Sequence, residues 1–107
     1  MKVIFDSSAL VFITKEQANS QFQTLSVIIA SEVYKCCGVA HETFFIMLGE
    51  FDRFYSKSNY IQIKDTNAEV PVLFDIGCKR TDVSEPFYVE KGKNGLIINR
   101  ASVNTGY

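Results

Sequence analysis

The chain has no long run of any one chemical kind of residue, and this absence excludes several classes of protein. Its longest apolar runs, Phe44–Leu48 and Ala9–Ile13, are far shorter than the roughly 20 residues that span a bilayer. It has no run of Lys or Arg, and eleven basic residues against twelve acidic ones give a net charge of −1. Tight binding to nucleic acid through phosphate neutralisation therefore has little support.

Signals for export and for disulfide bonding are also lacking. There are only three cysteines, Cys36, Cys37 and Cys78, and an odd number with an adjacent pair is not a disulfide framework. The apolar stretch Met1–Phe5 meets Asp6 at once, which is too short for the core of a signal peptide. We therefore expect reduced thiols in a cytoplasmic protein.

The composition predicts one domain with one hydrophobic core. Hydrophobic residues make up 47% of the 107 residues and aromatic residues 13%, with nine Phe and no Trp. The chain contains no repeat, no low-complexity stretch and no linker rich in Pro or Gly. Nothing marks a domain boundary, so the whole of 1–107 is expected to fold as a single domain.

The first half of the chain predicts a β-hairpin followed by two helices. The apolar runs Met1–Phe5 and Ala9–Thr14 flank a polar turn at 6–8, as in a hairpin. Apolar residues spaced by three and four predict a first helix, which Gly38 would end in a left-handed conformation: Phe22, Leu25, Ile29, Val33 and Cys36. The same spacing predicts a second helix over Glu42–Tyr55.

The second half predicts strands. Pro71 lacks an amide donor, which predicts that its strand lies at a sheet edge. Asp65-Thr66-Asn67 indicates a turn, and Gly77–Pro86 indicates a polar loop. Asn94-Gly95 indicates a hairpin whose turn is slightly longer than the tightest type. About four strands are expected: Tyr60–Ile63, Val70–Ile76, Phe87–Glu90 and Leu96–Asn99. The predicted fold class is α+β, with an antiparallel sheet and both helices packed on one face.

One local pattern resembles a known family. Val3-Ile4-Phe5-Asp6-Ser7-Ser8-Ala9-Leu10 is similar to the opening of the PIN-domain nucleases, in which an apolar strand ends at an Asp that helps to hold a divalent metal. Glu32, within Ile29–Val33, would stand for that family's helical Glu. The resemblance covers about the first third of the chain, and it implies Mg²⁺- or Mn²⁺-dependent phosphodiester cleavage. The structural alternative is that Asp6 is a turn residue and Glu32 a solvated one.

Other arrangements of reactive side chains are incomplete. Zinc accepts the ligand types of Cys36, Cys37, His41 and Cys78, but their spacing contains no C-x-x-C. Cys37 and His41 are four residues apart, and Gly38 between them is expected to break the helix that would bring them together. The two glycines of Gly92–Gly95 fit a turn and not a phosphate-binding loop. We therefore expect no metal, no cofactor and no catalytic site.

This combination predicts a small intracellular protein-binding module of the inhibitor or immunity type, as encoded by phages or mobile elements. The expected partner is a protein, such as a toxin or a host enzyme. Phe45, Tyr34 and one of the pair Phe54/Tyr55 fall off the main apolar stripe, and of these Phe45 and Tyr55 are expected at the contact surface. Charged residues of the polar loop would join them: Lys79, Arg80, Asp82 and Glu85. A homodimer through the predicted edge strand Val70–Ile76 is a further possibility.

Overall fold

In a computed structural model, the described residues form two four-stranded β-sheets and two helices. The structure describes residues 2–36, 38–57, 59–75 and 86–100, with side chains described for all of these except 31–36, 39–43 and 100. The mixed α+β class is confirmed. The elements in chain order are β1 (Lys2–Phe5), α1 (Ser7–Asn19), β2 (Leu25–Cys36), β3 (Val39–Glu50), α2 (Phe51–Tyr55), β4 (Tyr60–Ile63), β5 (Asp65–Thr66), β6 (Val72–Asp75), β7 (Phe87–Gly92) and β8 (Gly95–Arg100).

Both sheets contain parallel and antiparallel pairs of strands. The first sheet has the order β5-β1-β7-β8, in which β1 runs parallel to β5 and β7, while β8 returns antiparallel to β7. The second sheet has the order β3-β2-β6-β4, in which only β2 and β6 run parallel. The prediction of a purely antiparallel sheet was therefore wrong. The prediction did not include the helix α1, which separates β1 along the chain from its parallel partners β5 and β7.

The core lies between the two sheets. Alternate residues of β1 and β7 enter one buried cluster with alternate residues of β2 and β6, and α1 adds Ala9 and Ile13 to it. The ring of Phe44 joins the layers, because its centroid lies 5.1 Å from that of Phe87 in the first sheet and 6.3 Å from that of Phe74 in the second. Each sheet therefore buries one face against the other.

The N-terminal half differs from the prediction in its element types. Ala9–Thr14, predicted as the second strand of a hairpin, lies within the helix α1. The predicted first helix is the strand β2, and the predicted second helix, Glu42–Tyr55, is most of β3 followed by the short α2. The helical spacing gave a wrong prediction here because β2 is apolar on both of its faces. Val27, Ile28 and Ile29 are consecutive and fully buried, so their sequence fits either period.

The helices also do not share one face of a single sheet. The chain has two helices within its described residues, the number expected, but α1 contacts β1 and β7 of the first sheet. In contrast, α2 contacts β2, β3 and β4 of the second sheet. The predicted helical layer is thus replaced by one helix for each sheet.

The C-terminal half follows the prediction more closely. Tyr60–Ile63 is β4, β6 lies within Val70–Ile76, and β7 and β8 form the expected hairpin. Its turn is tighter than predicted, since Gly92 pairs with Gly95 across two residues, and the expected turn at 65–67 contains the short strand β5.

The strand that follows Pro71 is not at an edge. It lies between β2 and β4, and Pro71 precedes it and uses its carbonyl to accept a hydrogen bond of 2.9 Å from the amide of Val27. Because β6 is paired on both sides, the prediction of an edge strand was wrong, and β6 does not offer the free edge through which a homodimer of Val70–Ile76 was expected. The missing N–H of Pro71 falls before the strand begins, so the ladder loses no bond.

A single side chain ties β5 to β1. Asn67 follows β5, and its Nδ2 donates to the carbonyl oxygen of Phe5 while its Oδ1 accepts from the amide of Phe5, both at 2.8 Å. The two strands already pair at Lys2 with Asp65 and at Val3 with Thr66. The Asn67 side chain thus replaces a backbone partner and continues the pairing to the end of β1.

We predict that Asn67→Asp destabilises the protein, because a carboxylate has no N–H to donate and would face the carbonyl oxygen of Phe5. The expected loss in the free energy of unfolding is about 1–3 kcal/mol, measured by urea denaturation. Asn94→Asp in the exposed β7–β8 turn is the matched control and should change stability by less than about 0.5 kcal/mol. Equal effects of the two substitutions would contradict this role of Asn67.

Candidate functional site

Two neighbouring apolar side chains are exposed on β3. Phe45 is 41% exposed and Met47 is 40% exposed. They alternate with Phe44, Ile46 and Leu48, which pack against the core, so the two exposed side chains share the face of the second sheet that points away from the first. We call Phe45 and Met47 the β3 strip.

The helix α2 covers the same face beyond the β3 strip. Gly49 is the next residue on this face, and a Cβ atom there would lie 2.7 Å from Cε2 of Phe54 and 3.5 Å from Cγ1 of Ile28. The Phe54 ring also meets the Tyr60 ring edge-on, with centroids 5.6 Å apart. Phe54 therefore reaches across the face from β3 to β4, while the β3 strip is left open.

The junction between β3 and α2 is fixed by hydrogen bonds to the start of β2 and to the segment before it. The two carboxylate oxygens of Glu50 accept from the amides of Gln23 at 2.7 Å and Thr24 at 2.8 Å. The amide of Phe51 donates to the carbonyl of Thr24 at 2.9 Å, and the buried hydroxyl of Ser26 donates to the carbonyl of Gly49 at 2.9 Å. These bonds hold α2 in place at the end of the strip.

The sequence pointed to part of this surface for the wrong reason. Phe45 and Tyr55 are both exposed, and the exposed fraction of Tyr55 is 50%. The ring of Tyr55 stacks on that of Phe51, with the two centroids 4.8 Å apart. They were expected on one helix, whereas Phe45 lies on a strand and Tyr55 on α2. Met47 was missed, although alternation along a strand would have paired it with Phe45. The four charged residues expected beside them lie outside the described residues: Lys79, Arg80, Asp82 and Glu85.

Asp6 has a structural role at the start of α1. Its Oδ1 accepts from the amide of Ala9 at 2.9 Å and from the hydroxyl of Ser8 at 2.7 Å, which makes Asp6 the N-cap. The hydrogen bond from Ser8, followed by that from Ala9, lowers the pKa of Asp6 below its ordinary value. The carboxylate is therefore ionised at neutral pH and is already bonded within the chain.

The side chain of Glu32, the other candidate ligand, lies outside the described part of the chain. Glu32 lies on β2 of the second sheet, so the expectation that it lies on a helix was wrong, while Asp6 ends a strand of the first sheet. Among the described residues, no group of three or more His, Cys, Asp or Glu side chains could hold a metal ion. The zinc set remains untested, because Cys37 and Cys78 and the side chains of Cys36 and His41 are not described.

A shallow cavity at the start of α1 is lined by apolar, hydroxyl and basic side chains. Its volume is about 380 Å³. The Nζ of Lys91 lies 5.2 Å from the centroid of the Phe12 ring and donates to the carbonyl of Gly92 at 2.6 Å, while its amide donates to the hydroxyl of Ser8 at 3.3 Å. Lys91 thus joins β7 to α1. The cavity is lined by Ser7, Ser8, Val11, Phe12, Lys15 and Lys91.

No family model matches the chain, and no curated protein matches it. Within the described ranges, neither helix is long and apolar enough to cross a bilayer.

We predict that Asp6→Ala lowers the free energy of unfolding at pH 7, because α1 loses its cap. The folded-state pKa of Asp6 lies below 3.8, so its charge stabilises the folded state above that pH and this contribution is lost as the pH falls through the folded-state value. Urea denaturation from pH 7 to pH 2 should show that the difference in free energy of unfolding between wild type and Asp6→Ala becomes smaller at the acid end. Asp6→Asn keeps the acceptor without a charge, so its gap to Asp6→Ala should stay constant. If the difference in free energy of unfolding between wild type and Asp6→Ala does not change with pH, this assignment is contradicted.

Proposed function

We propose that this chain is a protein-binding module that acts by contact, as an inhibitor or immunity-type protein, and that the β3 strip is part of its contact surface. The observation that carries the proposal is the exposure of Phe45 and Met47 side by side on a strand of a well-packed sheet. Adjacent exposed apolar side chains mark interfaces, and aromatic residues and Met are enriched there.

The setting of the β3 strip supports this role. β3 is paired with β2 along its full length, and the Glu50 carboxylate and α2 fix its C-terminal end. A partner would therefore meet side chains whose backbone is already ordered, which lowers the entropic cost of binding. Tyr55 lies on the helix that adjoins the strip and supplies a second exposed aromatic ring.

The proposal keeps the remaining expectations from the sequence. Lys79, Arg80, Asp82 and Glu85 would add charged contacts around an apolar centre, where rim charges act mainly on the rate of association. The partner would be a protein, such as a toxin or a host enzyme, with an apolar groove that accepts Phe45. A cytoplasmic location is part of the same proposal.

A metal-dependent nuclease is the second candidate, and one observation favours it. β1 lies in a parallel part of its sheet and passes through Asp6 directly into a helix, which is the arrangement that the PIN resemblance implies and that the predicted hairpin did not contain. Against it, the Asp6 carboxylate caps α1, and Glu32 lies on a strand of the other sheet. Binding by contact is the better-supported function.

We predict that Phe45→Lys abolishes binding of the partner without unfolding the chain, because the new charge replaces an exposed apolar contact. Tyr88→Lys is the matched control, since Tyr88 is also 41% exposed on a strand but belongs to the first sheet. Immobilised wild type and both variants would be exposed to the same lysate, and the retained proteins compared by mass spectrometry.

A protein retained by wild type and by Tyr88→Lys, but not by Phe45→Lys, is the expected result. Circular dichroism should show both variants to be folded. If every retained protein binds all three chains equally, or depends on Tyr88 instead, the β3 strip is not the contact surface.

We also predict that RNA and DNA stay intact when the chain is incubated with Mg²⁺ or Mn²⁺. Cleavage that is lost in Asp6→Asn and retained in Asp65→Asn would replace the binding role with the nuclease role. Asp65 is a suitable control because it is exposed and lies on β5, which pairs with the same strand β1.

A further inference from the structure

The cavity at the start of α1 carries positive charge that no acidic side chain balances. We call it the α1 cavity; its volume is about 380 Å³, and it is lined by Ser7, Ser8, Val11, Phe12, Lys15 and Lys91. The lining thus holds two lysines and no carboxylate. In the described part of the chain, neither lysine forms an ion pair. Two ammonium groups at one cavity without a counter-charge favour an anionic ligand.

The α1 cavity lies along one face of the helix, where the helix meets β7. Four of the lining residues are spaced by three and four along the chain, which places them on one side of α1: Ser8, Val11, Phe12 and Lys15. Lys91 belongs to β7, and its amide donates to the hydroxyl of Ser8 at 3.3 Å. The two lysines therefore reach the cavity from different elements of the fold.

The side chain of Lys91 is already held in position and keeps donors for a ligand. Its Nζ lies 5.2 Å from the centroid of the Phe12 ring and donates to the carbonyl oxygen of Gly92 at 2.6 Å. An ammonium group has three N–H donors, so two of them are left. A ligand would therefore meet a charge whose position is fixed, which lowers the entropic cost of binding.

Further donors come from Lys15 and Ser7. Both residues are exposed, and within the described ranges neither side chain is hydrogen-bonded. The hydroxyl of Ser8 is not available as a donor, because it donates to Oδ1 of Asp6 at 2.7 Å. Asp6 itself is not part of the lining, and the same oxygen also accepts from the amide of Ala9. The polar side-chain groups that remain at the cavity are therefore all able to donate.

Part of the α1 cavity is apolar. Val11 is 58% exposed, which is the largest exposed fraction among the large hydrophobic side chains of the described residues, and it lines the cavity together with the half-buried Phe12. A bare inorganic anion would leave this apolar surface in contact with water. The cavity therefore favours an anion that carries an apolar or aromatic body, because covering apolar surface stabilises a complex.

We infer that the α1 cavity binds a small phosphomonoester with an apolar or aromatic body. A phosphomonoester carries a charge of about −1.5 to −2 at pH 7 and three acceptor oxygens, which match the two ammonium groups and the hydroxyl of Ser7. A carboxylate would bring only one charge and two oxygens. Ligand pockets have volumes of about 300–1,000 Å³, so a cavity of about 380 Å³ accepts one small molecule.

NMR titration of the full chain with phenyl phosphate, in a buffer without phosphate, tests the inference. The amide signals of Ser7, Val11, Phe12 and Lys91 should shift and saturate, with a dissociation constant on the order of 1 mM or lower. The signals of the β3 strip should stay in place and serve as the internal control. Shifts spread evenly over the chain, or no saturation far above this concentration, would overturn the inference.

Inorganic phosphate and phenol separate the two parts of the ligand. Inorganic phosphate supplies the charge without the ring, and phenol supplies the ring without the charge. Phenyl phosphate should bind more tightly than either of them, by about tenfold or more. If inorganic phosphate binds as tightly as phenyl phosphate, the apolar body is not recognised, and if phenol does so, the charge is not recognised; either result overturns the inference.

Lys15→Gln should weaken the binding of phenyl phosphate about tenfold, because it removes hydrogen bonds to a charged group. Lys64→Gln is the matched control, since Lys64 is also exposed but is not part of the cavity lining, and it should leave the affinity unchanged. Equal effects of the two substitutions would show that binding follows net charge and would overturn the inference. The inference does not depend on the proposed function, because the β3 strip lies on the other sheet. A chain that binds phenyl phosphate in this way but retains no protein through Phe45 would refute the proposed function alone.

Discussion

The burial of β2 on both of its faces is the constraint on which the rest of the structure depends. Val27 and Ile29 face the first sheet, whereas Ile28 faces the opposite side, and all three are fully buried. Burying a large aliphatic side chain stabilises a protein by about 1.5–3 kcal/mol. One strand therefore requires two covering layers, which are the first sheet on the inner side and the α2 region on the outer side.

The outer layer is short, and this explains the form of the candidate surface. The helix α2 covers the end of the face with the ring of Phe54, for which Gly49 leaves the space. It does not cover Phe45 and Met47, which lie further along the same side of β3. The exposed strip is thus the part of an apolar sheet face that the short helix leaves uncovered, and it lies on the end strand of the second sheet.

Several local features could be predicted from single residues, although the elements around them could not. Gly38 was expected in a left-handed conformation, and its φ of +80° agrees, but it turns the β2–β3 hairpin instead of ending a helix. Asp6 was expected as a turn residue of a hairpin, and it is instead the N-cap of the helix α1. Such residues fix the local backbone geometry, while the identity of the flanking elements depends on what packs against them.

The main failure concerned β2 and β3, each of which contains a run of consecutive apolar residues. In β2 and β3 the buried residues fit spacings of two and of three to four, so periodicity could not separate strand from helix. The pairing of β2 with both β3 and β6 decides the outcome, and it joins residues far apart in the sequence. The exposure of Met47 could not be predicted for the same reason, since it follows from the strand assignment and from the short reach of α2.

Amide hydrogen exchange along β3, measured by NMR in a dilute sample, tests most directly whether this strand ends its sheet beside an exposed strip. Because Phe45 and Met47 direct their amides towards β2, these two should exchange slowly. The amides of Ile46 and Leu48 point away from β2, since the amide of Val27 opposite Leu48 donates to Pro71, and they should exchange much faster. Equal protection of all four amides in the dilute monomer would show that another part of the chain covers the edge, and would contradict the role given to β3.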